Sequence, residues 1–138
     1  MPPTDVLCDA SVVLKWFHSD GEQGVGESRA LLDLQRTGQI TLSILDLTVY
    51  EVANVLIRSL RVPADRAQTV LEALDLICPR LTPTPDEMAD ALALADLHGL
   101  TVYDAAYAAV ARGRDAHLAT LDRSLLAAGL GVEPSRIG

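Results

Sequence analysis

The chain has 138 residues, 49% of them hydrophobic, and 19 acidic against 11 basic side chains give a formal net charge of −8. That length suits one domain spanning residues 1–138 with a real core, and the acidic excess argues against broad nonspecific nucleic-acid binding. It does not exclude a metal-dependent nuclease, because a bound divalent cation reverses the local sign. No apolar run approaches the ~18 residues of a membrane span, and the start MPPTDV lacks the basic and apolar blocks of a signal peptide. A cytoplasmic protein without membrane association is therefore expected, with Cys8 and Cys78 as buried, reduced thiols.

In chain order, VLCD (6 to 9) reads as a short strand running into the helix ASVVLKWF. Residues 24 to 37 form a second helical segment ended by Gly38, and ITLSIL (40 to 45) is the next strand. Asp46 is placed to cap the helix LTVYEVANVLIRSL. Pro63 starts ADRAQTVLEALDLI and Pro79 stops it. RLT (80 to 82) is a weakly marked strand. Thr84, Pro85 and Glu87 then spell a capping box with proline at the first helical position, opening a helix that runs to His98 and Gly99. Asp104 opens AAYAAVAR, closed by Gly113. HLAT (117 to 120) is a strand that delivers Asp122 to one more short helix, and a last weak strand is expected near Val132 to Ser135. Strands alternating with helices imply a mainly parallel sheet covered on both faces, a three-layer α/β/α sandwich whose ligands bind at the strand carboxyl ends.

Four acids sit at breaks in this pattern: Asp9, Glu51, Asp104 and Asp122. Each aspartate has an ordinary explanation as a helix N-cap. Capping cannot explain Glu51, which lies in the second turn of its helix; its bland alternative is a solvated stripe with Leu47, Asn54 and Arg58. Taken as a set, three acids at strand-to-helix junctions and a fourth on an intervening helix would gather at one edge of the sheet. Packed there alone, like charges would raise one another's pKa. A hard cation such as Mg²⁺ or Mn²⁺ relieves that conflict and reaches phosphate oxygens.

At these residues the chain resembles the PIN-domain family, and more narrowly the VapC-type toxin ribonucleases of bacterial and archaeal toxin–antitoxin pairs. Asp9 followed by Ser11 is similar to the family's opening motif, and Glu51 with Asn54 to its second. LTVYDAAYAAVA (100 to 111) and ATLDRSL (119 to 125) look like the third and fourth acidic motifs. The resemblance covers nearly the whole chain. It implies a five-stranded parallel sheet in the order 3-2-1-4-5, and Asp9, Glu51, Asp104 and Asp122 as the metal-binding, catalytic acids. It also implies Ser11, Asn54 and Thr120 as supporting polar groups, and RNA products with a 5′-phosphate and a 3′-hydroxyl. Asp9 and Asp104 are the expected direct ligands of one or two ions, with Glu51 and Asp122 as ligands or water holders. A cognate antitoxin that inserts an arginine among the acids is the expected inhibitor.

Arg112, Arg114 and Arg123 are candidates for phosphate contact, although Arg112 in a last helical turn also suits the helix dipole. Trp16 and Tyr107 could stack on bases, but aromatics on amphipathic helices more often belong to the core. Two other functions compete. A phospho-aspartyl enzyme would need a lysine late in the chain by family resemblance, and the only lysine is Lys15. A noncatalytic binding module would use exposed apolar faces on helices 46 to 60 and 64 to 77, carried by Val49, Val52, Leu56, Leu60, Val70, Leu71 and Leu74. The same faces would suit a homodimer or an amphipathic antitoxin segment.

Overall fold

The computed structural model describes residues 2–19 and 23–138. Strand β1 (Thr4–Cys8) lies at the centre of the sheet, paired in parallel with β2 (Ile40–Leu45) on one side and β4 (His117–Ala119) on the other. A two-residue strand β3 (Arg80–Leu81) joins β2 through Ile44 opposite Arg80 and Leu45 opposite Leu81. The helices are α1 (Ala10–Phe17), α2 (Val25–Arg36), α3 (Asp46–Asn54), α4 (Ala64–Ile77), α5 (Pro85–His98), α6 (Val102–Gly113) and α7 (Arg123–Ala127). After α3 the chain continues through a wider π turn, Val55–Ser59, in which Leu60 N–H donates to the Val55 carbonyl at 2.9 Å.

Alternation along β1 divides the core into two layers. Val6 and Cys8 pack with Val12, Leu31, Leu42, Ile44, Val52 and Leu74 on the face covered by α1 to α4. Leu7 points the other way, toward Leu94, Tyr107, Leu118 and Leu125 under α5 to α7. Helix α6 is buried over seven consecutive residues, Ala105 to Ala111, where small side chains let it lie close to both the sheet and α5. Cys8 and Cys78 are both buried. No helix among the described residues is long and apolar enough to cross a membrane.

The α/β/α sandwich and parallel sheet are as expected, but the five-stranded order 3-2-1-4-5 is not formed. Among the described residues the sheet has four strands in the order β3-β2-β1-β4. The strand expected near Val132 to Ser135 shrinks to one parallel bridge between Ala119 and Val132, with Thr120 N–H on the Val132 carbonyl at 3.0 Å and Val132 N–H on that of Leu118 at 2.8 Å. Pro134 has no N–H to continue the ladder and begins a 3₁₀ turn, Pro134–Arg136. Asp46 is likewise not the cap of α3 but its first residue; its carboxylate accepts from Leu47 N–H at 2.8 Å and from the Thr82 hydroxyl at 3.2 Å.

Thr84 and Glu87 do form the predicted capping box, with Glu87 N–H on Thr84 Oγ1 at 3.1 Å and Thr84 N–H on Glu87 Oε1 at 2.9 Å. Arg114 adds a two-pronged contact, Nε to Glu87 Oε2 at 2.9 Å and Nη2 to Oε1 at 3.0 Å, tying the start of α5 to the end of α6. These bonds, chiefly those from Arg114, hold the Glu87 carboxyl down at about 2, against an ordinary 4.5. A depressed carboxylate stabilises the fold above its unfolded pKa, and that gain fades as pH falls through the folded value. Glu87→Gln is expected to cost about 1 kcal/mol at neutral pH, a figure discounted for solvent screening of Arg114. Urea unfolding of both proteins at pH 7 and near pH 2 checks this: the gap should close in acid, and a pH-independent gap would contradict the ion-pair account.

Candidate active site

Asp9 follows directly on β1, and its N–H donates to the Ala119 carbonyl of β4 at 3.3 Å, so it stands at the carboxyl end of the two central strands. It caps α1 as expected, with Val12 N–H on Oδ1 at 3.3 Å. Capping is the smaller part of its bonding. The Ser11 hydroxyl donates to Oδ1 at 2.5 Å and the Thr120 hydroxyl to Oδ2 at 2.5 Å. Both hydroxyls are themselves fixed by backbone donors, Leu121 N–H on Ser11 Oγ and Asp122 N–H on Thr120 Oγ1, each at 2.9 Å. Asp9 is only 5% exposed. Burial pushes its carboxyl up to about 6, the nearby Asp122 adds to the rise, and the three hydrogen bonds oppose it.

Asp122 caps α7, its Oδ1 accepting from Ser124 N–H at 2.8 Å and Leu125 N–H at 3.2 Å. Asp104 is not a cap. Thr101 opens α6 and accepts Asp104 N–H at 3.1 Å, which puts Asp104 at the third helical position. Its carboxyl is half-buried and raised by that burial and by Asp122, against a lowering contribution from Thr101. Glu51, on α3, is also half-buried, and it too is raised, by burial and then by Asp104 and Asp122. The charge of Asp122 raises the carboxyls of Asp9, Glu51 and Asp104, and that of Asp104 raises Glu51.

Glu51 is held by a residue assigned to the core from sequence. Tyr107, 1% exposed, donates its hydroxyl to Glu51 Oε1 at 2.6 Å and lies 2.7 Å from Thr48 Oγ1. Thr48 in turn accepts the Leu45 N–H at 3.0 Å. Spacing places Tyr107 one helical turn after Asp104 and Thr48 one turn before Glu51, but it carries no signal of the bond between the two helices.

The structure therefore joins Asp9 to Ser11 and Thr120 by direct hydrogen bonds, and the Asp122 backbone N–H to Thr120; no hydrogen bond among the described residues joins Glu51 or Asp104 to Asp9 or Asp122. Asn54 is exposed at the end of α3, and no hydrogen bond joins it to the four acids among the described residues. Arg114 is committed to Glu87 and to the Thr82 carbonyl at 3.1 Å, whereas Arg112 and Arg123 are exposed. Trp16 is a core residue whose indole N–H donates to the Ser28 carbonyl at 2.9 Å. A cavity lined by Asp5, Leu7, Thr41, Ser43, Leu81 and Arg114 contains none of the four acids.

All donors at the acid edge are oxygens, which suits Mg²⁺ or Mn²⁺ over softer ions. Among the described residues no group of three or more His, Cys, Asp or Glu side chains is set to hold an ion as it stands. The donor set nevertheless fits in kind, since carboxyls raised by burial and by one another are the ones a divalent cation would relieve.

Comparison with known proteins shows the family. A family model, the PIN domain, matches residues 6–129. Ribonuclease VapC3 of Pyrobaculum aerophilum is 44% identical over 125 residues, covering 87% of this chain and 91% of that protein. Among solved structures, PAE2754 from Pyrobaculum aerophilum has a TM-score of 0.70 at 27% identity, over 95% of this chain and 90% of that one. VapC20 of Mycobacterium tuberculosis, a toxin that cleaves the sarcin-ricin loop, shares the fold with a TM-score of 0.71 at 19% identity, over 93% of this chain and 97% of its own. On a family match over most of its length and a close relative over nearly all of it, this chain belongs to the PIN-domain family and is homologous to the VapC-type toxin–antitoxin ribonucleases.

Proposed function

We propose that this protein is the ribonuclease toxin of a toxin–antitoxin pair, hydrolysing RNA phosphodiester bonds with Mg²⁺ or Mn²⁺ held at Asp9, Glu51, Asp104 and Asp122. The observation that carries the reading is the setting of Asp9: a carboxylate 5% exposed, with hydroxyls on both oxygens, in a neighbourhood that raises its pKa. A helix cap needs none of this. The cation, when bound, activates water and offsets charge on the phosphoryl oxygens. Ser11 and Thr120 fix the direction of Asp9, so that little ordering remains when an ion arrives. Glu51, Asp104 and Asp122 are half-buried, and the hydrogen bonds of Glu51 and Asp122 use Oε1 and Oδ1, which leaves Oε2 and Oδ2 for an ion or substrate.

The apolar faces expected on the helices at 46 to 60 and 64 to 77 do not favour the module reading. Val52, Leu56 and Leu74 are buried, and Val49, Leu60, Val70 and Leu71 pack against the same core. Exposed apolar side chains lie on other faces of these same helices, at Tyr50, Ile57 and Leu76, and on α5 and α6, at Leu92, Leu97, Val102 and Tyr103. These are the surfaces we assign to protein partners, a cognate antitoxin and a second copy in a homodimer.

The test is cleavage of total RNA by purified protein with Mn²⁺, without it and with a chelator, mapping product ends. Cleavage that needs the ion and leaves 5′-phosphates and 3′-hydroxyls is expected. Cleavage undiminished by chelation would contradict the metal site. Absence of both cleavage and Mn²⁺ binding, alongside tight binding of a partner protein, would favour the noncatalytic module.

A further inference from the structure

We infer that Tyr107 is a positioning residue for the acid site, acting through a one-way hydrogen-bond chain that runs from the Leu45 backbone through Thr48 to Glu51. The direction follows from the donors available. The Leu45 N–H can only donate, and it does so to Thr48 Oγ1 at 3.0 Å. The Thr48 and Tyr107 oxygens lie 2.7 Å apart and either could donate; because the Glu51 carboxylate can only accept, the Thr48 proton goes to the Tyr107 oxygen. The Tyr107 proton is left for Glu51 Oε1, at 2.6 Å. The chain thus links a backbone amide at the end of β2 to a carboxylate on α3 through a hydroxyl on α6. Glu51 Oε1 is committed as an acceptor, and Oε2 is the atom this bond leaves for a cation.

The bland account of Tyr107 is core packing. At 1% exposure a phenylalanine would fill the same space without a hydroxyl to satisfy. The ring explains the burial, and the hydroxyl is explained only by the two partners it joins. Leu45 and Thr48 are also fully buried, so the head of the chain is shielded from water that could replace a link.

The inference rests on the reading that Glu51 serves a bound cation, and its test separates the two. Mn²⁺ binding to purified Tyr107→Phe is measured by calorimetry, with thermal unfolding of the metal-free protein beside it. The expected result is Mn²⁺ affinity about 10- to 100-fold weaker than wild type, the range seen when the partner of a metal ligand is lost. The melting temperature should stay within about 5 °C of wild type, since the ring is kept. A second pair guards against a variant that fails to fold: Thr48→Ser keeps the hydroxyl link and should bind Mn²⁺ within about twofold of wild type, whereas Thr48→Val should weaken it as Tyr107→Phe does. Mn²⁺ affinity unchanged in Tyr107→Phe, or equal in the two Thr48 variants, overturns the positioning role. Wild-type protein that binds no Mn²⁺ overturns the functional reading itself, and the inference with it.

Discussion

Replacing Asp9 with asparagine is expected to reduce metal-dependent RNA cleavage at least about 100-fold while leaving the protein folded. Asparagine caps helices as well as aspartate does, so the cap of α1 survives the change, while the charge and one of the two acceptors for the Ser11 and Thr120 hydroxyls are lost. Burial and Asp122 both work against the charged form of Asp9, and a neutral amide removes that conflict. Against that relief stands one hydroxyl left without its acceptor, so the metal-free variant should unfold within about 2 kcal/mol of wild type. Asp104→Asn is expected to give the same loss, and there the separation is cleaner because Thr101 supplies the cap. Cleavage assays run beside urea unfolding decide the matter. Full activity in either purified variant would return that aspartate to a structural role.

The second large effect is expected from a residue that touches no acid. A Cβ added at Gly131 would stand 2.6 Å from Thr120 Cγ2 and 3.2 Å from the Leu118 carbonyl oxygen. That carbonyl accepts the Val132 N–H, and Thr120 holds Asp9 Oδ2, so neither neighbour can yield without loss. Gly131→Ala is expected to destabilise the fold by about 1–3 kcal/mol, the usual cost of overpacking. It should also lower cleavage by about 10- to 100-fold through displacement of the hydroxyl that orients Asp9. Adding Thr120→Ser removes the clashing methyl and keeps the hydroxyl, so the double variant should recover much of both losses. Wild-type stability and cleavage in Gly131→Ala, or no recovery in the double variant, would break the link between Gly131 and Asp9.

Much of this arrangement was legible in the chain because local chemistry and fold agree. The capping box at Thr84 and Glu87 formed where its spacing placed it, and Asp9 and Asp122 cap the helices they precede. Asp46 and Asp104 did not, and for a shared reason: each lies just inside a helix whose boundary comes earlier, at Leu45 and Thr101. In TVYD the threonine three residues before the acid was the better cap, a pattern that the preference for aspartate obscured. Asn54 was drawn in by its motif, yet its place at the end of α3 leaves it exposed. Tyr107 was missed as a partner of Glu51 because a hydrophobic pattern registers a ring and is blind to where a hydroxyl will point. That bond joins residues 56 apart in sequence, and only the packing of α3 beside α6 creates it.

The short ends of the sheet bear on how copies of this protein can meet. On one side β3 is two residues long and bounded by Pro79 and Pro83; on the other, the single Val132 bridge is followed by Pro134. The outer edge of β2 over residues 40–43 extends past β3, but there the Leu42 N–H is taken by Gln35 Oε1 at 2.7 Å, which breaks the run of donors a strand from another chain would need. A ladder continuing from one molecule into the next is thereby disfavoured, which protects a protein with a mainly apolar sheet from templated aggregation. Self-association is left to the outer surfaces of the helices, where side chains rather than backbone decide which neighbour is accepted.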